Sequence, residues 1–437
     1  MRSALGVEVL DIGRGPPGEL FGLTFAQPDP GGPLDRLGGV VVGAARRFEG
    51  GQAPQAVRVL LDREVQRGVG GIQVGVAAAA IRQPGHRHLA EHRGQRAGVP
   101  GLDAAAGCPA SDFARDAALL ALAARTDGVD RESYDRAVDR GDVVVAHIVR
   151  GAIHALAPGD LALYGRALIA RDDDELAAQL GRQVQRLSAE NGFAPTDALD
   201  EVAAATKDAL AKGRALDKND LHEALRQRVS KDLMPWCRGC KSFHVAPMLW
   251  RYATVKAGAR LDAERRYTLA KPGRTPAARE AVRRYLHFYG PGTASDFADW
   301  AGLAKPHARR LWDEVAGDLA EIDGAWLLSE DVSTLASPPQ AEGIRLLPPG
   351  DPYLQKPNRP LLAPDQKLRS RLFRPVASPG VVLRDGRLAG LWRAQAKGKK
   401  VEITVEKFGR LARRDLDDEA QRVADARGAA GVTVAVT

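Results

Sequence analysis

The chain has 437 residues, 44% of them hydrophobic and 27% charged, which suits roughly two to four globular domains and leaves no apolar run long enough to cross a bilayer. Three cysteines are too few for a disulfide scaffold, and the opening lacks a charged segment followed by a long apolar one. A cytoplasmic protein with no membrane partner is therefore expected. A net charge of +8 admits a polyanionic partner, or only an Arg-rich coding bias. The excess of Lys and Arg between Lys367 and Arg414 favours phosphate binding.

In chain order, residues 1–110 stand apart. They contain no Lys, Trp, Tyr or Asn, hold nearly half of the chain's 46 glycines, and show neither the helical nor the strand period. They read either as a disordered low-complexity arm or as text from a disrupted frame in GC-rich DNA. The second reading is favoured, and no function is built on them.

Order is expected from Asp112. "DAALLALAAR" and the residues after Gly128 read as two helices, "VVVAHIVRGAIHAL" as two strands about a Gly turn, and a helix follows Pro158. A helix from about Asp197 to Lys212, ended by Gly213, leads into another with Leu221, Leu225 and Val229 on one face. Next comes "WCRGCKSFH", in which Cys237, Cys240 and His244 form a partial zinc signature without an obvious fourth ligand; the alternative is two buried thiols beside an imidazole. Arg150 and His154 flank the Gly151 turn. There they either face a phosphate or nucleotide, or are simply the polar residues of an ordinary hairpin.

From Arg279 to Tyr289, Val282, Tyr285, Leu286 and Tyr289 recur at helical spacing, and Gly290-Pro291-Gly292 must break that helix. Thr293 with Asp296 offers a cap for a second short helix that ends at Gly302. A third, Lys305 to Val315, buries Ala308, Leu311, Trp312 and Val315, and "LAEIDGAWLLSE" has the Asp-Gly signal of a hairpin. Three short helices closed by a hairpin describe a winged helix. The third helix then turns Lys305, His307, Arg309 and Arg310 outward toward a DNA major groove. The same module used only for protein docking is the competing reading. Beyond "ASPPQ" the chain reads as mixed β-structure, with hairpins at Asp385-Gly386 and "KGKK", and a terminal helix from about Asp415 to Arg427. The expected fold is α+β: tandem winged-helix units at 111–190, 191–275 and 276–336, followed by a β-rich domain at 337–437.

No P-loop, dinucleotide fingerprint or nucleophile elbow is present, which disfavours nucleotide hydrolysis, hydride transfer and ester cleavage. Taken together, "VRRYLHFYGPGTASDFADWAGL", "LMPWCRGCKSFHV", "VRGAIHALAPGDL", "GDPYLQ" and "GVVLRDGRLAGLWR" resemble the bacterial winged-helix DNA-binding family that includes DNA glycosylases unhooking interstrand crosslinks. The resemblance runs from about Asp112 to Arg427. It implies tandem winged-helix units and a β-rich C-terminal part that wrap double-stranded DNA; a monomer with no cofactor, zinc apart, is expected. It also implies a catalytic Gln-x-Gln or Gln-x-Asp motif just before the helix "DAALLALAAR", where related proteins often show Gln-Asp. Here Ser111-Asp112 stand at that place. Asp112 is then the expected catalytic carboxylate, with Arg150 and His154 near the lesion. The missing Gln is attributed to the same frame break. The expected activity is glycosylase-like on alkylated or crosslinked bases with a degraded motif; the alternatives are a non-catalytic DNA-binding regulator and a protein-interaction scaffold.

Overall fold

The computed structural model describes residues 109–437, apart from 115, 127, 272, 337–340, 342, 356–357 and 375–376, together with two short antiparallel strands, β1 (Val41–Gly43) and β2 (Arg58–Leu60). The reading of residues 1–110 otherwise lies outside the described residues.

The first large element is a five-stranded sheet of order β3-β5-β4-β8-β9. It contains β3 (Ala110–Ser111), β4 (Val144–His147), β5 (Ile153–Leu156), β8 (Ala259–Leu261) and β9 (Tyr267–Leu269). The β-branched run before His147 is buried at every position, as suits a central strand. Helix α1 (Ala117–Ala123) is buried all round, so its sequence carries no amphipathic stripe. Helix α2 (Arg131–Arg140) starts at an Asp130/Ser133 capping box and stops at Gly141. After β5 the chain makes a π-helical turn at Ala162–Arg166. A Cβ on Gly165 would meet Val255 Cγ2 at 2.3 Å, so only glycine lets this turn pack so closely.

Then follow α3 (Asp173–Leu180), α4 (Arg182–Asn191), α5 (Pro195–Ala209), α6 (Lys218–Arg226), the hairpin β6 (Trp236–Cys237) with β7 (Ser242–Phe243), and α7 (Pro247–Lys256). Strand β8 pairs with β4 through Val145 and Leu261. The expected boundary falls between residues 190 and 191. The segments on its two sides share one sheet, because β8 and β9 return to the edge that β4 leaves open.

The stretch 279–328 follows the expected order closely: α8 (Arg279–Tyr289), α9 (Ala294–Ala301), α10 (Lys305–Asp313), then β10 (Leu319–Ile322) paired with β11 (Ala325–Leu328). Thr293 and Asp296 form the capping box. Asp323 and Gly324 both take positive φ, the twist a tight hairpin needs. Helix α10 ends at Asp313, two residues earlier than expected, yet Val315 is still buried.

A second five-stranded sheet, β12-β13-β14-β15-β16, closes the chain: β12 (Ile344–Leu347), β13 (Gly380–Arg384), β14 (Arg387–Lys397), β15 (Lys400–Lys407) and β16 (Val432–Val436). Helix α11 (Gln366–Leu372) precedes β13, and α12 (Asp417–Ala426) crosses between β15 and β16, which are parallel. Strand β16 was not expected from sequence. One hydrophobic core spans both sheets and the helices between them, so the C-terminal part packs on the rest.

Candidate active site and nucleic-acid interface

Asp112 leaves the end of β3 and is only 2% exposed. Ser111 is in register with His154, and the Asp112 amide donates to the Ile153 carbonyl at 2.8 Å. The sheet thus brings together residues that sequence reading had linked only by resemblance. The Ala118 amide, in the first turn of α1, donates to Asp112 Oδ1 at 3.0 Å, and Arg265, in the β8–β9 turn, pairs with Oδ2. Burial raises the Asp112 carboxyl above its ordinary value, while the Arg265 charge and the Ala118 bond oppose that rise. Beside it lies a cavity of about 10 Å³ lined also by Tyr134, Asp262 and Arg265, room for about one water. Next door, Phe113 projects outward as an exposed aromatic.

His154 is buried while Arg150 is exposed, so only one of the turn's two polar groups faces outward. Arg150 sits in the left-handed region and donates to the Trp300 carbonyl on α9. A Cβ on Gly302 would lie 2.7 Å from Arg150 Cγ, so the break between α9 and α10 is where this side chain docks. His154 is buried, hydrogen-bonded at 3.0 Å to the Ala152 carbonyl, and desolvation pushes its imidazole down to about 4. His147 behaves alike: it bonds the Gly151 carbonyl and the Tyr267 hydroxyl at 3.0 Å each, and burial sets it at about 4. Both imidazoles are neutral parts of the sheet.

Helix α10 presents Lys305, Arg309 and Arg310 to solvent, with the Arg309 and Arg310 side chains 68% and 60% exposed. His307, expected beside them, is instead buried, and burial holds its imidazole below the ordinary value. It falls one position before the buried Ala308, on the inward side of the helix. Arg309 pairs with Asp313 one turn on. Arg310 makes a bidentate pair, 2.7 and 2.6 Å, with Glu175 of α3, so any phosphate must compete with that carboxylate.

The β6–β7 hairpin stands out from the surface. Trp236 and Phe243 are 53% and 56% exposed, with ring centroids 5.1 Å apart. Cys237, Cys240 and His244 meet beside its turn, their donor atoms all within 4.8 Å of one another. Hydrogen bonding from Cys240, its amide first, brings the Cys237 thiol down to about 7.

Sequence reasoning missed Arg265, whose loop carries no motif, and Glu175, which looks like an ordinary acid in a first helical turn. It quoted Asp351 only within "GDPYLQ". That side chain is fully buried and pairs with Arg125 at the end of α1, at 2.6 and 2.7 Å. It also accepts from the Tyr353 amide at 2.8 Å. This ion pair fastens the C-terminal part to the helix that follows Asp112.

The AlkZ-like DNA glycosylase family matches residues 106–426, and the chain belongs to it. An interstrand DNA cross-link repair glycosylase of Streptomyces sahachiroi is 29% identical over 353 residues, covering 73% of this chain and 88% of that relative. The solved structure of Streptomyces sahachiroi DNA glycosylase AlkZ aligns with a TM-score of 0.63 at 25% identity, over 83% of this chain and 99% of that one. Among the described residues no helix is long and apolar enough to cross a membrane.

Proposed function

We propose that this chain is a cytoplasmic, monomeric DNA glycosylase that hydrolyses the N-glycosidic bond of alkylated or crosslinked bases in duplex DNA. Water adds to the sugar C1′, the base departs, and an abasic site remains. The transition state carries positive charge on the deoxyribose, and a nearby carboxylate lowers its energy. Asp112 takes that role, and the observation that carries it is its place: a buried carboxylate between β3 and α1, where the resemblance puts the catalytic motif. Arg150 and His154 lie near the lesion: Arg150 is exposed at the turn, and His154 is buried in the strand that pairs with Ser111. Residues 276–336 are read as a winged helix with α10 in the major groove and Lys305, Arg309 and Arg310 on phosphates. Residues 111–190 and 191–275 are read as two further units sharing a sheet, and 337–437 as the β-rich domain that braces them.

A second reading is favoured by one specific observation. Both Asp112 oxygens are engaged, and a hydroxyl at Ser111 cannot replace an amide in orienting water. In that reading the chain binds duplex DNA without releasing base. Incubation of an alkylated duplex with the parent, Ser111→Gln and Asp112→Asn separates the two. Free base from the parent or Ser111→Gln, and none from Asp112→Asn, supports the glycosylase. Tight duplex binding with no base from either active form removes the enzyme and leaves the binder.

A further inference from the structure

We infer that Cys237, Cys240 and His244 bind one zinc ion through two thiolates and one imidazole, with the fourth position open to solvent. Three features of the hairpin carry this. First, the donor set is convergent. Tetrahedral zinc, with bonds of about 2.3 Å to sulfur and 2.0 Å to nitrogen, wants donors roughly 3.5–3.8 Å apart, and all three donor atoms already lie within 4.8 Å of one another.

Second, the chain prepares both kinds of ligand. His244 Nδ1 lies 2.8 Å from the Val245 carbonyl. A carbonyl can only accept, so Nδ1 carries the proton and Nε2 keeps its lone pair, as in most metal-bound histidines. The turn Arg238–Lys241 folds its backbone over Cys237. Lys241 takes positive φ, which lets the chain turn back.

Third, the hairpin has little else to hold it. It consists of two residue pairs, Trp236 with Phe243 and Cys237 with Ser242, and a two-stranded hairpin of that size is marginal in water. His244 is followed by buried Val245 and Ala246 and then by α7. An ion shared by Cys237, Cys240 and His244 would fasten the exposed turn to that buried base. Cys240 is exposed, so the fourth position faces water. His222 stands outside the donor set: its ring packs 4.5 Å from Trp250 and 5.1 Å from His244. Soft sulfur with imidazole selects zinc over magnesium or calcium. Binding releases the two thiol protons to solvent.

The test is a titration of the reduced, metal-free full chain with cobalt(II) and then zinc(II). One equivalent of cobalt is expected to give the intense visible bands of tetrahedral coordination and a near-ultraviolet thiolate charge-transfer band. One equivalent of zinc should abolish both. Cys237→Ser/Cys240→Ser should lose the charge-transfer band, and Cys108→Ser should keep it. His244→Ala should weaken cobalt binding by more than about tenfold, beyond what outer-shell changes cost. Only weak, octahedral-type bands in the parent, or a charge-transfer band that survives Cys237→Ser/Cys240→Ser, overturns the assignment. The parent titration stands whether or not any variant folds.

Discussion

Removing Arg265 isolates the candidate catalytic carboxylate. In the parent, the Asp112 side chain is 1% exposed and holds two bonds, one to the Ala118 amide and one to Arg265, itself 26% exposed. Arg265→Ala leaves a buried charge with one amide. Breaking a fully buried pair costs about 3–5 kcal/mol. Water can enter beside a partner already one-quarter exposed, so the loss falls nearer that of one charge-assisted bond, about 2 kcal/mol. The sign with pH follows from Asp112 itself. Its folded-state value is raised by burial, and without Arg265 it rises further. Between the unfolded and folded values the folded chain binds more protons, so stability falls as pH rises through that window. The cost of Arg265→Ala is therefore full near neutrality and shrinks toward acid, where Asp112 is protonated in both proteins. Urea unfolding of parent and Arg265→Ala at both pH values measures this, and the carboxylate-dependent limb of base release should move to higher pH. An equal loss at both pH values, or none near neutrality, refutes the reasoning.

Four other outcomes are expected. Arg309→Glu/Arg310→Glu should weaken duplex binding and lower the salt slope by about two phosphate contacts, read by anisotropy over a salt series; an unchanged slope would remove α10 from the interface. Glu175→Gln should tighten the same binding, because it frees Arg310 from its carboxylate; no change would mean that Arg310 touches no phosphate. Asp351→Ala leaves Arg125, whose side chain is 10% exposed, with the Ala121 carbonyl but no carboxylate, and should cost about 3–5 kcal/mol in thermal or urea unfolding. A shift under about 1 kcal/mol would show that the pair is not what holds the C-terminal part. His147 and His154, neutral in the fold at about 4, favour the folded state fully above the ordinary histidine value. That stability, on the order of 3 kcal/mol each, drains as pH falls from about 6.5 toward 4; a His147→Gln/His154→Gln protein should show a flatter acid limb.

Local signals in the sequence sufficed wherever neighbours in the chain settle the structure. Thr293 with Asp296, Gly302, Asp323-Gly324 and Asp385-Gly386 each carry their own backbone chemistry, so 279–328 and the C-terminal hairpins could be read directly. The donor set Cys237, Cys240 and His244 was legible for the same reason: its spacing is short enough for one hairpin to deliver it.

Contacts between distant segments could not be read that way. A helix buried all round, such as α1, shows no stripe that says what covers it. The end strand β16 and the pairing of β8 with β4 depend on crossovers that no local pattern encodes. His307 was assigned to the open face because helical spacing cannot distinguish a stripe's edge from its centre. Asp112 with Arg265, Arg125 with Asp351, and Arg310 with Glu175 join residues 153, 226 and 135 positions apart. Such pairs exist because folding removes water from between charges that the chain itself keeps far apart.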